Sequence, residues 1–148
     1  MDTMRPTTTL LAFVLITATL LSGPTSAPAQ DRATDAGTAP ASRSAPAKKG
    51  YVRANGIDYY YEIHGKGEPL LLLHGGLGSI DMFGPILPMI AKERQVIAVD
   101  LHGHGRTALG ERPIDLVDIG DDMAIVLREL GYRQVDVLGY SFGAGAGV

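Results

Sequence analysis

The stretch "QVDVLGYSFGAGAGV", residues 134–148, decides the fold. Its first part, "QVDVLGY", carries Val135, Val137 and Leu138 in a short apolar run, the pattern of a strand inside a sheet. Its second part is rich in Gly and Ala and reads as the opening of a helix. Between the two stands Ser141, with Gly139 before it and Gly143 after it, each two residues away. A strand that turns directly into a helix holds its central residue in strained backbone geometry. Glycines at those two offsets let neighbouring chain approach without a Cβ clash. A serine hydroxyl becomes a nucleophile when a base takes its proton, and a turn this sharp lifts it to the top of the sheet, where a base can reach it. The N–H of Phe142 would then point at a developing oxyanion. The competing reading is a glycine-rich helix cap that uses serine.

Two apolar strands lie upstream. "PLLLLH", residues 69–74, is a continuous apolar run of strand length, and "QVIAVD", residues 95–100, is a second. Between them, "GGLGSIDMFGPILPMIAKER" reads as a loop followed by a helix from about Ser79 to Glu93, interrupted by prolines. "PIDLVDIGDDMAIVLRELGY", residues 113–132, spaces Leu116, Ile119, Met123, Val126, Leu127 and Leu130 at threes and fours. With Pro113 near its start and Gly131 at its close, it reads as an amphipathic helix. Ahead of all this, "YVRANGIDYYYEIHGKGEP" contains two alternating segments joined by Asn55-Gly56, a strong hairpin signal because both central residues take positive φ. Buried strands alternating with helices imply a parallel sheet with right-handed crossovers, here opened by an antiparallel pair.

Each strand end carries a loop suited to chemistry. After His74, the glycine-rich run Gly75, Gly76, Leu77 and Gly78 can turn a bare N–H toward an oxyanion near Ser141, with Gly76 the first choice of donor and Leu77 the second. His74 directly ends its strand, so it reads as a structural hydrogen-bonding residue rather than a base. In "VDLHGHGRT", Asp100 ends a strand and Gly103 and Gly105 suit a tight loop. His102 and His104 have no further ligand cluster at metal spacing, so no metal site is expected.

The rest of the chain bounds its class. From Tyr51 onward there are 8 Lys or Arg against 13 Asp or Glu, with no basic run, which argues against a nucleic-acid partner. Cysteine is absent from all 148 residues, excluding disulfides, thiolate metal sites and a lipidated N-terminal cysteine. The N-terminus combines Arg5, an apolar stretch from Leu10 to Leu21, and Ala27-Pro28-Ala29 placed like a signal-peptidase site. The expectation is a signal peptide over residues 1–29 and an exported protein, because the apolar stretch falls short of the roughly 20 residues a membrane span needs. The alternatives are an uncleaved anchor or a buried helix. Residues 30–50 are Ala, Pro, Ser and Thr with scattered charge and no large apolar residue, and are expected to form a disordered linker. The folded domain is then expected over residues 51–148.

The hairpin, the strand and HGG loop, the strand and "DLHGHGRT" loop, and the strand and "GYSFGA" turn, in that order, resemble the N-terminal part of an alpha/beta-hydrolase fold protein. The resemblance implies that Ser141 is the nucleophile and that backbone N–H groups of Phe142 and the HGG loop form the oxyanion hole. It implies an ester or related acyl substrate and no cofactor or metal. Dehalogenases and epoxide hydrolases of similar fold carry aspartate where this chain has Ser141, leaving esterase-like, haloperoxidase-like and carbon–carbon bond hydrolases. In such proteins the acid and then the histidine follow the nucleophile, and seven residues follow Ser141 here. The chain is therefore expected to be the first part of such a domain, truncated after the nucleophile turn. The alternative is a non-catalytic or partner-binding remnant of the same fold.

Overall fold

A computed structural model of the protein describes residues 45–147. The expected signal peptide and most of the expected linker lie outside these residues. Five strands form one sheet: β1 (Lys48–Ala54), β2 (Ile57–His64), β3 (Pro69–Leu73), β4 (Gln95–Val99) and β5 (Asp136–Gly139). Three α-helices accompany them: α1 (Ile86–Ile90), α2 (Leu116–Glu129) and α3 (Phe142–Gly145). The spatial order is β1-β2-β4-β3-β5, in which β1 with β2 and β2 with β4 are antiparallel, while β3 is parallel to both β4 and β5.

Local chemistry explains the element ends, and in places moves them from where the sequence alone puts them. Asn55 and Gly56 sit at φ 44° and 87°, making the tight turn that registers Ala54 against Ile57 and Lys48 against Ile63. The strand begins at Lys48, and Ala47 already donates to the Ile63 carbonyl, so the domain starts before Tyr51 and the expected linker ends sooner. Backbone pairing to β2 orders these residues although their side chains are exposed. The proline-interrupted helix expected over 79–93 divides into a 3-10 turn, Ile80–Phe83, and the short α1, separated where Gly84 takes φ 40° and Pro85 follows. Helix α2 starts at Leu116 rather than Pro113 because Asp115 caps it, its carboxylate accepting from the Val117 and Asp118 N–H groups.

The sheet is covered on both faces. On one face Tyr59, Tyr61, Leu71, Leu73, Ile97 and Val99 pack against Ile119, Met123 and Val126 of α2. On the other, Tyr60, Leu72, Val96 and Ala98 pack against Ile80, Phe83 and Leu87. Strand β2 is therefore buried on both sides and does not alternate as a half-exposed hairpin strand would.

Candidate active site

The carboxyl ends of β3, β4 and β5 meet at one edge of the sheet, and each sends out one of the loops singled out above. Ser141 is the residue between β5 and α3, exposed, with φ 50° and ψ −113°. For a residue with a Cβ this backbone state costs about 1–3 kcal/mol, and the packing around it enforces the strain. A Cβ on Gly139 would lie 2.5 Å from the Gly143 carbonyl oxygen. A Cβ on Gly143 would lie 2.5 Å from the His74 carbonyl oxygen and 2.6 Å from that of Leu73. Both glycines are thus required by close backbone approach, which draws α3 down onto the end of β3. Tyr140 N–H closes the join by donating to the Leu73 carbonyl at 2.9 Å.

The HGG loop runs alongside. Gly78 N–H donates to the Gly75 carbonyl at 3.2 Å, so Gly76 and Leu77 form the corner of a turn. Leu77 takes φ 60°, and its side chain is fully exposed. A Cβ on Gly76 would lie 3.8 Å from that of Phe142, and one on Gly75 would lie 2.8 Å from the Tyr140 ring. The two segments expected to supply N–H donors, Gly76-Leu77 and Phe142, are therefore neighbours beside Ser141. Phe142 opens α3, and the first N–H groups of a helix have no intrahelical acceptor.

His74 is the peg between loops. It is fully buried; its Nε2 accepts from the Leu101 N–H at 2.9 Å, so its proton sits on Nδ1 and is donated to the Gly75 carbonyl at 2.7 Å. Burial lowers its pKa, against the Gly75 carbonyl and Asp100, which favour the charged form. Both nitrogens are committed to backbone, leaving this ring no free site to take a proton from a nucleophile.

Asp100 and Arg106 do the same for the loop after β4. Asp100 Oδ1 accepts from the Ile80 N–H at 2.7 Å, and Oδ2 accepts from the Arg106 backbone N–H at 2.9 Å and its Nε at 2.7 Å. The guanidinium also lies 4.4 Å over the Tyr60 ring, a cation–π contact. Thr107 completes the lock, donating to the Asp100 carbonyl at 2.6 Å and accepting from the Tyr60 N–H at 3.0 Å. This loop presents His104, whose ring lies 5.6 Å from that of Phe142 and 5.4 Å from that of His74, with Nδ1 bonded to the His102 carbonyl. His102 turns away. It is fully buried, and neither ring nitrogen makes a well-aligned hydrogen bond, although the Leu109 carbonyl lies close enough to favour its proton. Burial, then the Arg112 charge, lower its pKa. The two histidines thus occupy separate surroundings, and His64, on β2, bonds Glu62 at 2.9 Å. Among the described residues, no group of three or more His, Cys, Asp or Glu is placed to hold a metal ion, and no imidazole hydrogen bonds to Ser141.

The sequence reading missed Arg106 and a second lock. Asp122 of α2, fully buried, accepts from Asn55 Nδ2 at 2.8 Å, from the Tyr59 hydroxyl and from Arg112. Burial pushes the Tyr59 phenol up to about 12 against the opposing pull of Arg112, so it remains a donor. The signal available was the spacing: Asp122 falls on the same helical stripe as Ile119, Met123 and Val126.

The alpha/beta hydrolase fold family matches residues 68–147, and the chain belongs to that family. It is 34% identical over 93 residues to a non-heme haloperoxidase of Rhodococcus erythropolis, covering 62% of this chain and 34% of that one. It is 34% identical over 89 residues to a soluble epoxide hydrolase of Corynebacterium sp. strain C12, covering 60% of this chain and 31% of that one. A hydrolase structure from Pseudomonas aeruginosa PA01 superposes with a TM-score of 0.61 at 24% identity, covering 66% of this chain and 38% of that one, a likeness of fold. The chain spans about a third of the length of the curated relatives it matches.

Proposed function

We propose that the protein is an exported serine hydrolase acting on an ester or related acyl compound, with Ser141 as its nucleophile. The observation that carries this reading is the strained, exposed turn at Ser141, held at φ 50° by two glycines whose Cβ atoms would collide with backbone. In this reading Ser141 Oγ attacks the substrate carbonyl carbon, and its proton passes to a base. The oxyanion rests on N–H groups of Phe142 and of Gly76 or Leu77, and the leaving alcohol departs protonated. Water then attacks the acyl-serine and releases the acid. In this reading the turn at Ser141 supplies the nucleophile and the neighbouring loops the donors, and the family resemblance implies a base and an acid at positions after the turn. Serine at this position favours acyl transfer over the epoxide chemistry named for the Corynebacterium relative. Export rests on the sequence of residues 1–29, and mature protein would begin near Gln30.

The test is covalent labelling of the full-length protein by a fluorophosphonate probe, with the modified residue mapped by mass spectrometry. Adduct on Ser141, lost in Ser141→Ala, is the expected result. An adduct elsewhere, or labelling that persists in the Ala variant, would overturn the assignment.

A further inference from the structure

An oxyanion hole works when its donors aim at one point, so Phe142 and the Gly76-Leu77 corner must keep one spacing. Backbone bonding does not set that spacing. Tyr140 N–H ties the turn at Ser141 to the Leu73 carbonyl, and the corner closes on itself through Gly78 N–H and the Gly75 carbonyl. Among the described residues, no backbone hydrogen bond joins Gly76 or Leu77 to Phe142, and a bond through any of their N–H groups would use up a donor the oxyanion needs. Gly75 and Gly76 permit the approach, since a Cβ on Gly75 would lie 2.8 Å from the Tyr140 ring and one on Gly76 3.8 Å from the Phe142 Cβ. Permitting an approach is not holding it, and the holding falls to side chains.

His104 meets both segments. Its ring lies 5.4 Å from that of His74, whose Nδ1 holds the Gly75 carbonyl, and 5.6 Å from that of Phe142, both within the roughly 4.5–7 Å of packed ring pairs. The loop after β4 delivers this ring rigidly. Gly103 and Gly105, on either side of it, take φ 74° and 54°. His104 N–H donates to the Leu101 carbonyl at 2.9 Å, and its own carbonyl accepts from the Thr107 N–H at 2.9 Å. A carbonyl can only accept, so Nδ1 carries the proton of its 2.8 Å bond to the His102 carbonyl, which fixes the ring as well as the backbone. Thr107 and Asp100 in turn lock the loop to Tyr60 and Ile80.

We propose that His104 is a positioning residue of the oxyanion hole: its imidazole, packed against both His74 and Phe142, sets the distance between the two donor segments. The proposal rests on the reading of Ser141 as nucleophile and adds to it the group that keeps the donors in place. The ring contacts do the positioning, and the bond to the His102 carbonyl orients the ring that makes them. A misplacement of roughly 1 Å at a reacting centre can cost about 100-fold in rate, so a side chain that touches both donor segments matters although it takes no part in the bond changes.

The test follows labelling of the full-length protein by a fluorophosphonate probe over a range of probe concentrations. In His104→Ala the limiting rate of Ser141 labelling should fall about tenfold to a hundredfold, with the half-saturating probe concentration and the final labelled fraction unchanged. A lower labelled fraction at an unchanged limiting rate would mean a merely structural role and overturn the proposal. His104→Asn keeps a donor for the His102 carbonyl but has no ring; it should behave as Ala does, and it carries the comparison should the Ala variant not fold. His104→Phe keeps a ring but not that donor, and should recover most of the loss. A second readout needs no activity. In the unlabelled protein the NMR cross-peak between Gly76 Hα and Phe142 Hβ should weaken in His104→Ala and His104→Asn and return in His104→Phe. No labelling of Ser141 in the parent would sink the nucleophile reading alone, because the cross-peak still decides whether His104 spaces the two segments. A cross-peak unchanged in the Ala and Asn variants, or a Phe variant labelled as slowly as they are, would overturn the proposal.

Discussion

At Ser141 the chain accepts a backbone state that disfavours every residue except glycine. The pair φ 50°, ψ −113° is close to the mirror image of an extended polyproline-like conformation, which glycine enters freely and a residue with a Cβ does not. Ser141→Gly should therefore stabilise the fold by about 1 kcal/mol, the relief of strain exceeding the extra freedom glycine gives the unfolded chain. Gly143→Ala should do the opposite. Its Cβ would press on the His74 and Leu73 carbonyls at 2.5 and 2.6 Å, rigid backbone atoms that cannot swing aside, and the cost should be about 3 kcal/mol. Urea denaturation of the two variants checks both signs. A destabilised Ser141→Gly would mean that the serine hydroxyl, and not the turn, holds this geometry. Both glycines are legible in the sequence from the strand-turn-helix pattern, but only the contacts that enforce Gly139, with Gly143 and Ala144, are local; those that enforce Gly143 come from Leu73 and His74, far upstream.

Elements were legible where their signal was local and less so where burial decided. The Asn-Gly turn, the two apolar strands and the existence of α2 follow from turn chemistry and periodicity. The buried face of α2 follows as well, in Ile119, Met123 and Val126, except at its first residue and at Asp122. Periodicity puts Leu116 in the apolar stripe, yet it stands 38% exposed, while the buried set is Ile119, Asp122, Met123 and Val126. An aspartate on the core stripe is readable as such only when its partners are known, and Asn55, Tyr59 and Arg112 come from distant parts of the chain. Likewise the break at Gly84 depends on how Ile80, Phe83 and Leu87 reach the sheet, which no local pattern states. Two aspartates of α2 should accordingly differ in consequence. Asp115→Ala removes an exposed cap and should cost about 1 kcal/mol. Asp122→Ala leaves Arg112 without its buried counter-charge and should cost about 3 kcal/mol or more. Equal losses in thermal or chemical denaturation would show that Asp122 does not tie α2 to the hairpin.

The whole molecule keeps several ionisable side chains in their neutral forms inside the fold, which sets how stability must depend on pH. His74 and His102 are both lowered from their ordinary value of 6.5, chiefly by burial. Below 6.5 the unfolded chain gains protons that the folded chain refuses, so stability present above that pH is lost as pH falls toward the lowered folded values. Tyr59 acts at the other end. Its folded pKa, raised by burial from 10.0 to about 12, means that above 10 the unfolded chain ionises first, and stability falls again as pH rises. Tyr60 and Tyr132 are raised as well, again by burial first, and add to that limb. Stability should therefore form a plateau between about pH 7 and 9 with a decline on each side, the acid decline beginning above the range near 4 where ordinary carboxylates titrate. His102→Leu separates the contributions. It removes a buried ring without well-aligned partners that sits beside Arg112, so the urea midpoint should rise at acid pH and the slope between pH 7 and 5 should become shallower, with His74 supplying what remains. An unfolding midpoint that stays constant from pH 7 to 5 in the parent chain would contradict this account. It would mean that both histidines take up protons in the fold as readily as out of it, and His74 could not then be the neutral peg that holds the HGG loop beside Ser141.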